Sequence, residues 1–337
     1  MDDAAALRDL VEALPEPSLI VSGGLVAVAN AAARAVLGDH IVDQDVRFAV
    51  RHPIALERLS EAQPAGDEVE LVGVGGAERR WMMSVAALAD GSRFVRLTDR
   101  SEAHAAERMR VDFVANASHE LRTPLATIFG YAETLDDEDG ELDADTRRRF
   151  TSIIHDEARR MQRVVEDLIS LSRIEAERFT PPADRVDLAV FIAEAVRDSQ
   201  GDAGKRGCKI LCEVEEGLPP VLADRVQIHQ LLDNLIGNAV RYGCPGPVTV
   251  RAALADEQVM LTVADEGEGI AAEHIPRLTE RFYRVDTSRS RSQGGTGLGL
   301  SIVKHIVERH RGRLSIESRL GEGTIVRVLL PVAPDPA

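Results

Sequence analysis

The chain has 337 residues, of which 44% are hydrophobic and 28% charged, and a formal net charge of −16. That length accommodates about two or three domains with separate cores. So acidic a balance argues against a nucleic-acid or anionic-membrane binder. Its three cysteines, Cys208, Cys212 and Cys244, show no CxxC pair and no metal-ligand spacing, so they read as free thiols in a reducing compartment.

No run of about 18 apolar residues occurs. The best candidate, around Leu25 to Leu37, is interrupted by Asn30 and Arg34, and the start MDDAAALRDL is acidic where a signal peptide would be basic. The expectation is a cytoplasmic chain without a membrane segment of its own. Membrane association would need a segment outside it.

Residues 1–100 form the first expected unit. A short helix over Ala4–Leu14 stops at Pro15 and Pro17. SLIVSGGLVAVAN reads as two strands around the turn Ser22-Gly23-Gly24. Two helical pieces follow, AAARAVLG and HPIALERLSEA, then three strands, EVELVGV, RRWMMSVAAL and SRFVRLTD. This order resembles a PAS sensor domain, and LTDRSEA resembles the exit from such a domain into a signalling helix. Flavin-adduct photochemistry would lack its thiol, since no cysteine precedes Cys208. His40 and His52 suit surface or capping roles better than haem ligation.

Residues 101–180 read as a helical hairpin. In FVANASHELRTPLATIFGYAETL, Val111, Val114, Ser118, Leu121, Leu125, Ile128, Ala132 and Leu135 alternate steps of three and four, the seam of a helix packed on other helices. His119 follows the seam position Ser118 and is rotated about 100° from it, so it points sideways out of the bundle. Glu120 adjoins it, and Thr123 shares its face one turn on. Pro124 deprives the Glu120 carbonyl of its usual partner and can bend the axis. An exposed imidazole is largely an uncharged nucleophile at neutral pH, and a neighbouring carboxylate can take its proton. An ordinary surface histidine is the competing reading.

The second helix, about Asp143 to Ala176, carries the stripe Phe150, Ile154, Met161, Val164, Leu168 and Leu171. Two helices cannot close a core of this length, so two hairpins pairing into a four-helix bundle are expected. The acidic stretch Asp136 to Glu141 is expected as a solvated turn between the helices. The bland alternative is a hairpin covered by flanking domains.

SHELRTPL resembles the phosphoacceptor motif of two-component sensor histidine kinases, and the longer stretch ASHELRTPLATIFGYAETL is similar to their phosphate-sensor-like members. The resemblance implies that His119 is the phosphorylated residue, Glu120 its acid/base carboxylate, and Thr123 the residue tied to dephosphorylating the partner.

Residues 181–337, entered through Thr180-Pro181-Pro182, read as a mixed α/β unit with three notable patches. In the helix QLLDNLIGNAVRY, Asn234 and Asn238 lie one turn apart. Their amide oxygens suit a Mg²⁺ that keeps several waters. Arg241 can reach phosphate, and Tyr242 offers a ring face. Asp265-Glu266-Gly267-Glu268-Gly269 ends a strand, where a carboxylate can accept from an exocyclic amine and Gly267 and Gly269 admit close backbone approach. Gly294 to Leu300 (GGTGLGL) opens a helix whose N–H groups favour anions, without the spacing of a P-loop or a dinucleotide fingerprint. The stretch Arg284 to Gln293 is expected to form a basic, mobile lid.

Each patch alone is compatible with ordinary turn chemistry. In this order they resemble the N, G1, F, G2 and G3 boxes of the sensor-kinase ATP domain, related to Hsp90-like and MutL-like ATPases. The resemblance implies ATP and Mg²⁺, with Asn238 as metal ligand and Asn234 beside it. Arg241 stands where a phosphate-binding lysine is usual. Tyr242 lines the adenine and Asp265 reads its amine. Phe282 and Tyr283 serve as lid aromatics beside Arg284, and Gly295, Thr296, Gly297, Leu298 and Gly299 form the phosphate loop.

The expected fold is therefore α+β and multidomain: a PAS-like sensor, a dimerising helical hairpin and a C-terminal α/β sandwich. The expected function is ATP-dependent autophosphorylation of His119 and transfer to an aspartate of a response-regulator receiver domain, in a homodimer, with Pro124 as a bending point for the signal. A phosphatase-biased regulator, an Hsp90/MutL-type ATPase and a non-catalytic nucleotide-binding scaffold are the competing classes.

Overall fold

In the computed structural model, which describes residues 3–60, 68–76, 78–136, 142–177, 179–285 and 295–334, the chain divides into two units, with the dividing line between Val114 and Ala115. The first unit begins with α1 (Asp3–Glu12), β1 (Ser18–Ser22) and β2 (Leu25–Ala29). The short helices α2 (Ala31–Leu37), α3 (Val46–Ala49) and α4 (Pro53–Ser60) follow, then β3 (Val69–Val72), β4 (Arg80–Ala87) and β5 (Arg93–Asp99). The strands form one antiparallel sheet in the order β2-β1-β5-β4-β3.

Leu19, Val21, Leu71, Trp81, Met83, Val95 and Leu97 fill the buried face of that sheet, and the Trp81 indole N–H donates to the Val74 carbonyl at 2.9 Å. Asn30, which breaks the apolar run, is fully buried and has four partners. Its Oδ1 accepts from the N–H groups of Ser18 (3.0 Å) and Ala33 (2.8 Å), and its Nδ2 donates to the carbonyls of Leu14 (2.9 Å) and Glu16 (2.8 Å). It thereby caps α2 and holds the exit of α1 against β1.

A long helix, α5 (Ser101–Asp136), carries the chain into the second unit and is followed by α6 (Ala144–Ala176), capped by Asp143. The acidic turn expected between them falls almost wholly on residues 137–141, outside the described residues. Pro124 is buried within α5, and the helix continues through it. On α6 the stripe buries Val164, Leu171 and Ile174. By contrast, Val111 and Phe129 of α5 are each 59% exposed in the single chain.

After a two-residue strand β6 (Arg185–Val186) come α7 (Leu188–Lys205), β7 (Ile210–Val214), β8 (Val221–Leu222), α8 (Arg225–Gly243), β9 (Val248–Ala255) and β10 (Gln258–Asp265). The last elements are α9 (Gly299–Arg309), β11 (Arg313–Arg319) and β12 (Gly323–Pro331). The sheet order is β11-β12-β10-β9-β7, antiparallel except for the parallel pair β7–β9. Alternate burial along β10 turns Val259, Leu261 and Val263 inward, and α8, with Leu231 and Leu235 buried, packs against that strand. This is the two-layer arrangement that a half-apolar sheet requires. β6 and β8 pair with each other as a small separate ladder.

The free-thiol expectation fails at two of three positions. Cys208 and Cys244 form a disulfide with their Cα atoms 5.3 Å apart, and Cys212 alone is free. The partners are 36 residues apart in sequence. They meet because α7 and α8 pack together and end near each other, a tertiary proximity that local spacing does not carry.

His310, just past α9, is buried and doubly bonded. Its Nδ1 lies 2.7 Å from the Ile306 carbonyl, to which it donates, and its Nε2 accepts from the Asp224 N–H at 3.1 Å. That pattern requires the neutral ring, and burial pushes its proton affinity below the ordinary imidazole value. The folded state thus disfavours the proton that the unfolded ring takes up below about pH 6.5. Stability contributed by this ring is full above that pH and falls as the pH drops through it. The thermal midpoint is expected to fall between pH 7 and pH 5, and His310→Gln, which cannot take the proton, should flatten that fall. A calorimetric series at both pH values checks this.

Candidate functional site

The site is built where α8, the end of β10 and the start of α9 meet. Asp224 starts α8 by accepting from the N–H groups of Val226 and Gln227. Ile228, Leu231, Leu232, Leu235 and Ile236 then bury one face, leaving Asn234, Asn238, Arg241 and Tyr242 on the other. Asn234 Nδ2 donates to the Gln230 carbonyl at 2.9 Å, and the backbone of Gly299 lies so close to its Oδ1 that a Cβ there would stand 2.5 Å away. Arg241 Nη1 donates to Asn238 Oδ1 at 3.2 Å, and its guanidinium lies 5.9 Å from the Tyr242 ring centre. Burial lowers the proton affinity of Arg241, the signature of a cation held out of water.

Asp265 ends β10 with Oδ1 accepting the Gly267 N–H at 3.0 Å. Burial raises this carboxyl above the usual carboxylate range. Gly267 is required by contact, because a Cβ would stand 2.3 Å from the Tyr242 carbonyl oxygen. Gly297 is required twice over. Its φ is +75°, and a Cβ would come within 2.8 Å of the Phe282 backbone, whose N–H donates to the Gly297 carbonyl at 2.8 Å.

These elements enclose a cleft of about 750 Å³. Its walls include Asn234, Asn238, Arg241, Tyr242, Asp265, Gly267, Gly269, Tyr283, Arg284, Gly295, Thr296, Gly297 and Gly299. Tyr283 is anchored by a 2.7 Å hydrogen bond between its hydroxyl and His274 Nδ1 and by the Arg277 guanidinium 4.2 Å from its ring centre.

His119 is exposed on α5, and Thr123 Oγ1 donates back to its carbonyl at 3.3 Å. Glu120 is half-buried. Its Oε2 accepts from Arg160 Nη2 at 3.1 Å and from Arg284 Nη2 at 3.3 Å. Arg284 also donates to the Gly295 carbonyl. One guanidinium thus belongs to the cleft wall and touches the residue beside His119.

Residues 109–177 match the His kinase A (phospho-acceptor) domain, and residues 223–334 match the histidine kinase-, DNA gyrase B-, and HSP90-like ATPase family. The phosphate regulon sensor protein PhoR of Pseudomonas aeruginosa is 34% identical over 329 residues, which is 96% of this chain and 72% of that protein. The chain belongs to the sensor histidine kinases. Full-length ShkA, solved in complex with AMPPNP, is 30% identical with a TM-score of 0.50, over 67% of this chain and 47% of that one. The histidine kinase ThkA, solved in complex with the response regulator protein TrrA, covers 98% of this chain and 99% of its own with a TM-score of 0.54; at 19% identity it speaks for the fold alone.

This sensor kinase is accordingly an ATP-binding protein-histidine kinase of the two-component class, and the Hsp90/MutL-type alternative is not retained. Two expected residues lie off the cleft wall. Leu298 is fully buried in the core, with its N–H on Thr296 Oγ1 at 3.2 Å, because the α9 start turns that side chain inward. Phe282 takes a φ of +62° under its bond to Gly297, and only the next residue, Tyr283, reaches the wall. Beyond Arg284 and Val285 the expected lid, residues 286–293 with Arg289 and Arg291, falls outside the described residues, as does Gly294 of the glycine-rich stretch.

Among the wall residues that escaped the sequence reading are three charged ones of α6: Arg163, Glu166 and Asp167. Asp167 Oδ2 accepts the Thr296 hydroxyl at 2.8 Å, and burial raises its carboxyl. Nothing in the spacing of α6 separates them from the solvated charges on either side. No helix among the described residues is long and apolar enough to cross a membrane.

Proposed function

We propose that this sensor kinase transfers the γ-phosphoryl group of ATP to His119 and passes it to an aspartate on the receiver domain of a response regulator. The observation that carries the reading is Arg284, a cleft-wall residue hydrogen-bonded to Glu120, the neighbour of His119. It links the nucleotide cleft to the phosphoacceptor turn through a single side chain.

In this reading Asp265 accepts from the exocyclic amine of the adenine, Tyr242 lines the base, and Arg241 and the N–H groups opening α9 meet the phosphates. Asn238, with Asn234 beside it, would hold Mg²⁺. The fit rests on two amide oxygens one turn apart on the cleft face of α8, the kind of hard, neutral donors suited to an ion that keeps its waters. Such an ion would neutralise charge on the transferred phosphoryl. His119 is the nucleophile, and the proton leaving its ring passes to Glu120. Thr123 and Glu120 together can orient a water for the reverse, phosphatase, direction.

Residues 1–100 are read as a PAS-like input domain, supported by the sheet order and by the short helices between its second and third strands. Residues 101–180 are the phosphotransfer hairpin and 181–337 the catalytic domain. The exposed Val111, Leu125 and Phe129 of α5, with Val165 and Ile169 of α6, support a homodimer joined through a four-helix bundle. With ATP as donor and a receiver domain as acceptor, the cytoplasm is the compartment proposed.

Incubation with γ-labelled ATP is expected to leave label on the protein that survives alkali and is lost in acid. A chase with purified receiver domains should then move it to one of them. ATP hydrolysis without any acid-labile protein label would overturn the proposal.

A further inference from the structure

We infer that Arg160 is a positioning residue for the phosphorylation of His119, acting through Glu120; the inference rests on the function proposed above. Arg160 lies on the buried stripe of α6, one turn before Val164, and is 7% exposed. A guanidinium so deeply buried needs a reason, since arginine is almost never that buried unless paired.

Its pairing is incomplete as a structural device. Nη2 reaches Glu120 Oε2 at 3.1 Å, and Nη1 stands 4.0 Å from Glu157 Oε2. Arg160 Nε and Glu157 Oε2 are both buried without a hydrogen-bond partner among the described residues. A buried ion pair of this quality contributes little to stability, and an apolar side chain of similar volume often replaces one at no cost. What Arg160 does achieve is geometric. It fixes Oε2 of Glu120, the oxygen that Arg284 also holds, and leaves Oε1 without a bond among the described residues.

The chemistry uses that free oxygen. As the imidazole nitrogen attacks, an N–P bond forms and the P–O bond to ADP breaks. The proton displaced from the ring passes to Oε1 of Glu120, and ADP leaves as an anion. Two guanidinium groups on Oε2 restrict the rotation of the carboxylate. Orientation of this kind bears on the rate of the step and leaves nucleotide binding alone.

The test is a double-mutant cycle on the full chain with γ-labelled ATP. Arg160→Met is expected to lower the autophosphorylation rate by about tenfold to a hundredfold, with ATP affinity within about twofold of wild type. Arg160→Lys should recover part of the rate, because it restores the charge without the fork. In a Glu120→Gln background, Arg160→Met should cost less than about threefold, since its target is already gone. Equal losses in both backgrounds, or an unchanged rate in Arg160→Met, would overturn the inference while the kinase reading stands. Absence of acid-labile label on the wild type would overturn both. If Arg160→Met proves insoluble, Arg160→Lys decides: a slower rate at unchanged ATP affinity supports the role, and an unchanged rate rejects it.

Discussion

His119→Gln is expected to abolish acid-labile phosphate incorporation while ATP affinity stays within about twofold of wild type. His119 is exposed, so an amide of similar size should leave the thermal midpoint nearly unchanged. Glutamine offers no nucleophilic nitrogen, so the loss is of the covalent product itself. Glu120→Gln should behave differently. It removes only the proton acceptor, a contribution typically worth about 10²–10⁴-fold, and should leave slow labelling of the same histidine. Scintillation counting of acid- and alkali-treated gels, beside nucleotide titration of each variant, separates the two roles. Label persisting in His119→Gln would mean that another residue accepts the phosphoryl group.

The parts of this architecture that were legible in the sequence are those written in local period. The strands of the first unit, α5 and α6 as a pair, and α8 with its asparagines one turn apart follow from spacing and from Gly and Pro punctuation. Asn30 was visible only as a break in an apolar run; its four hydrogen bonds depend on where α1, β1 and α2 meet. The Cys208–Cys244 disulfide depends on two helix ends converging across 36 residues. β6 and β8, two residues each, are too short to carry a period. Arg160 and Asp167 look in sequence like any charge on a helix rich in arginine and glutamate. They acquire meaning from Glu120 and Thr296, which other segments bring to them. Phe282 and Leu298 mark a further limit. Motif resemblance gave their neighbourhood, whereas backbone dihedrals at single residues decide which side chain faces the cleft.

Asp265→Asn tests the nucleotide half of the proposal with a change of one atom. The wild-type carboxylate accepts the Gly267 N–H through Oδ1 and borders the cleft. In the variant, the amide oxygen must serve Gly267, because that N–H is a donor and would otherwise be left unpaired in a buried place. The amide NH₂ then faces the cleft. An exocyclic amine of adenine meets a donor where it met an acceptor. Losing a hydrogen bond to a charged group costs about 1.5–3 kcal/mol, which corresponds to roughly ten- to 150-fold in affinity. A 6-oxo purine such as that of ITP presents an acceptor at the same place and should lose far less, or gain. The ratio of ATP to ITP affinity, measured by calorimetric titration of wild type and variant, is therefore expected to fall. An equal loss for both nucleotides would mean that Asp265 supports the loop through Gly267 and does not read the base. The raised proton affinity of Asp265 adds a condition to the experiment, since burial brings its protonation toward milder pH. The titrations belong on the alkaline side of neutral, where a raised carboxyl is more fully ionised.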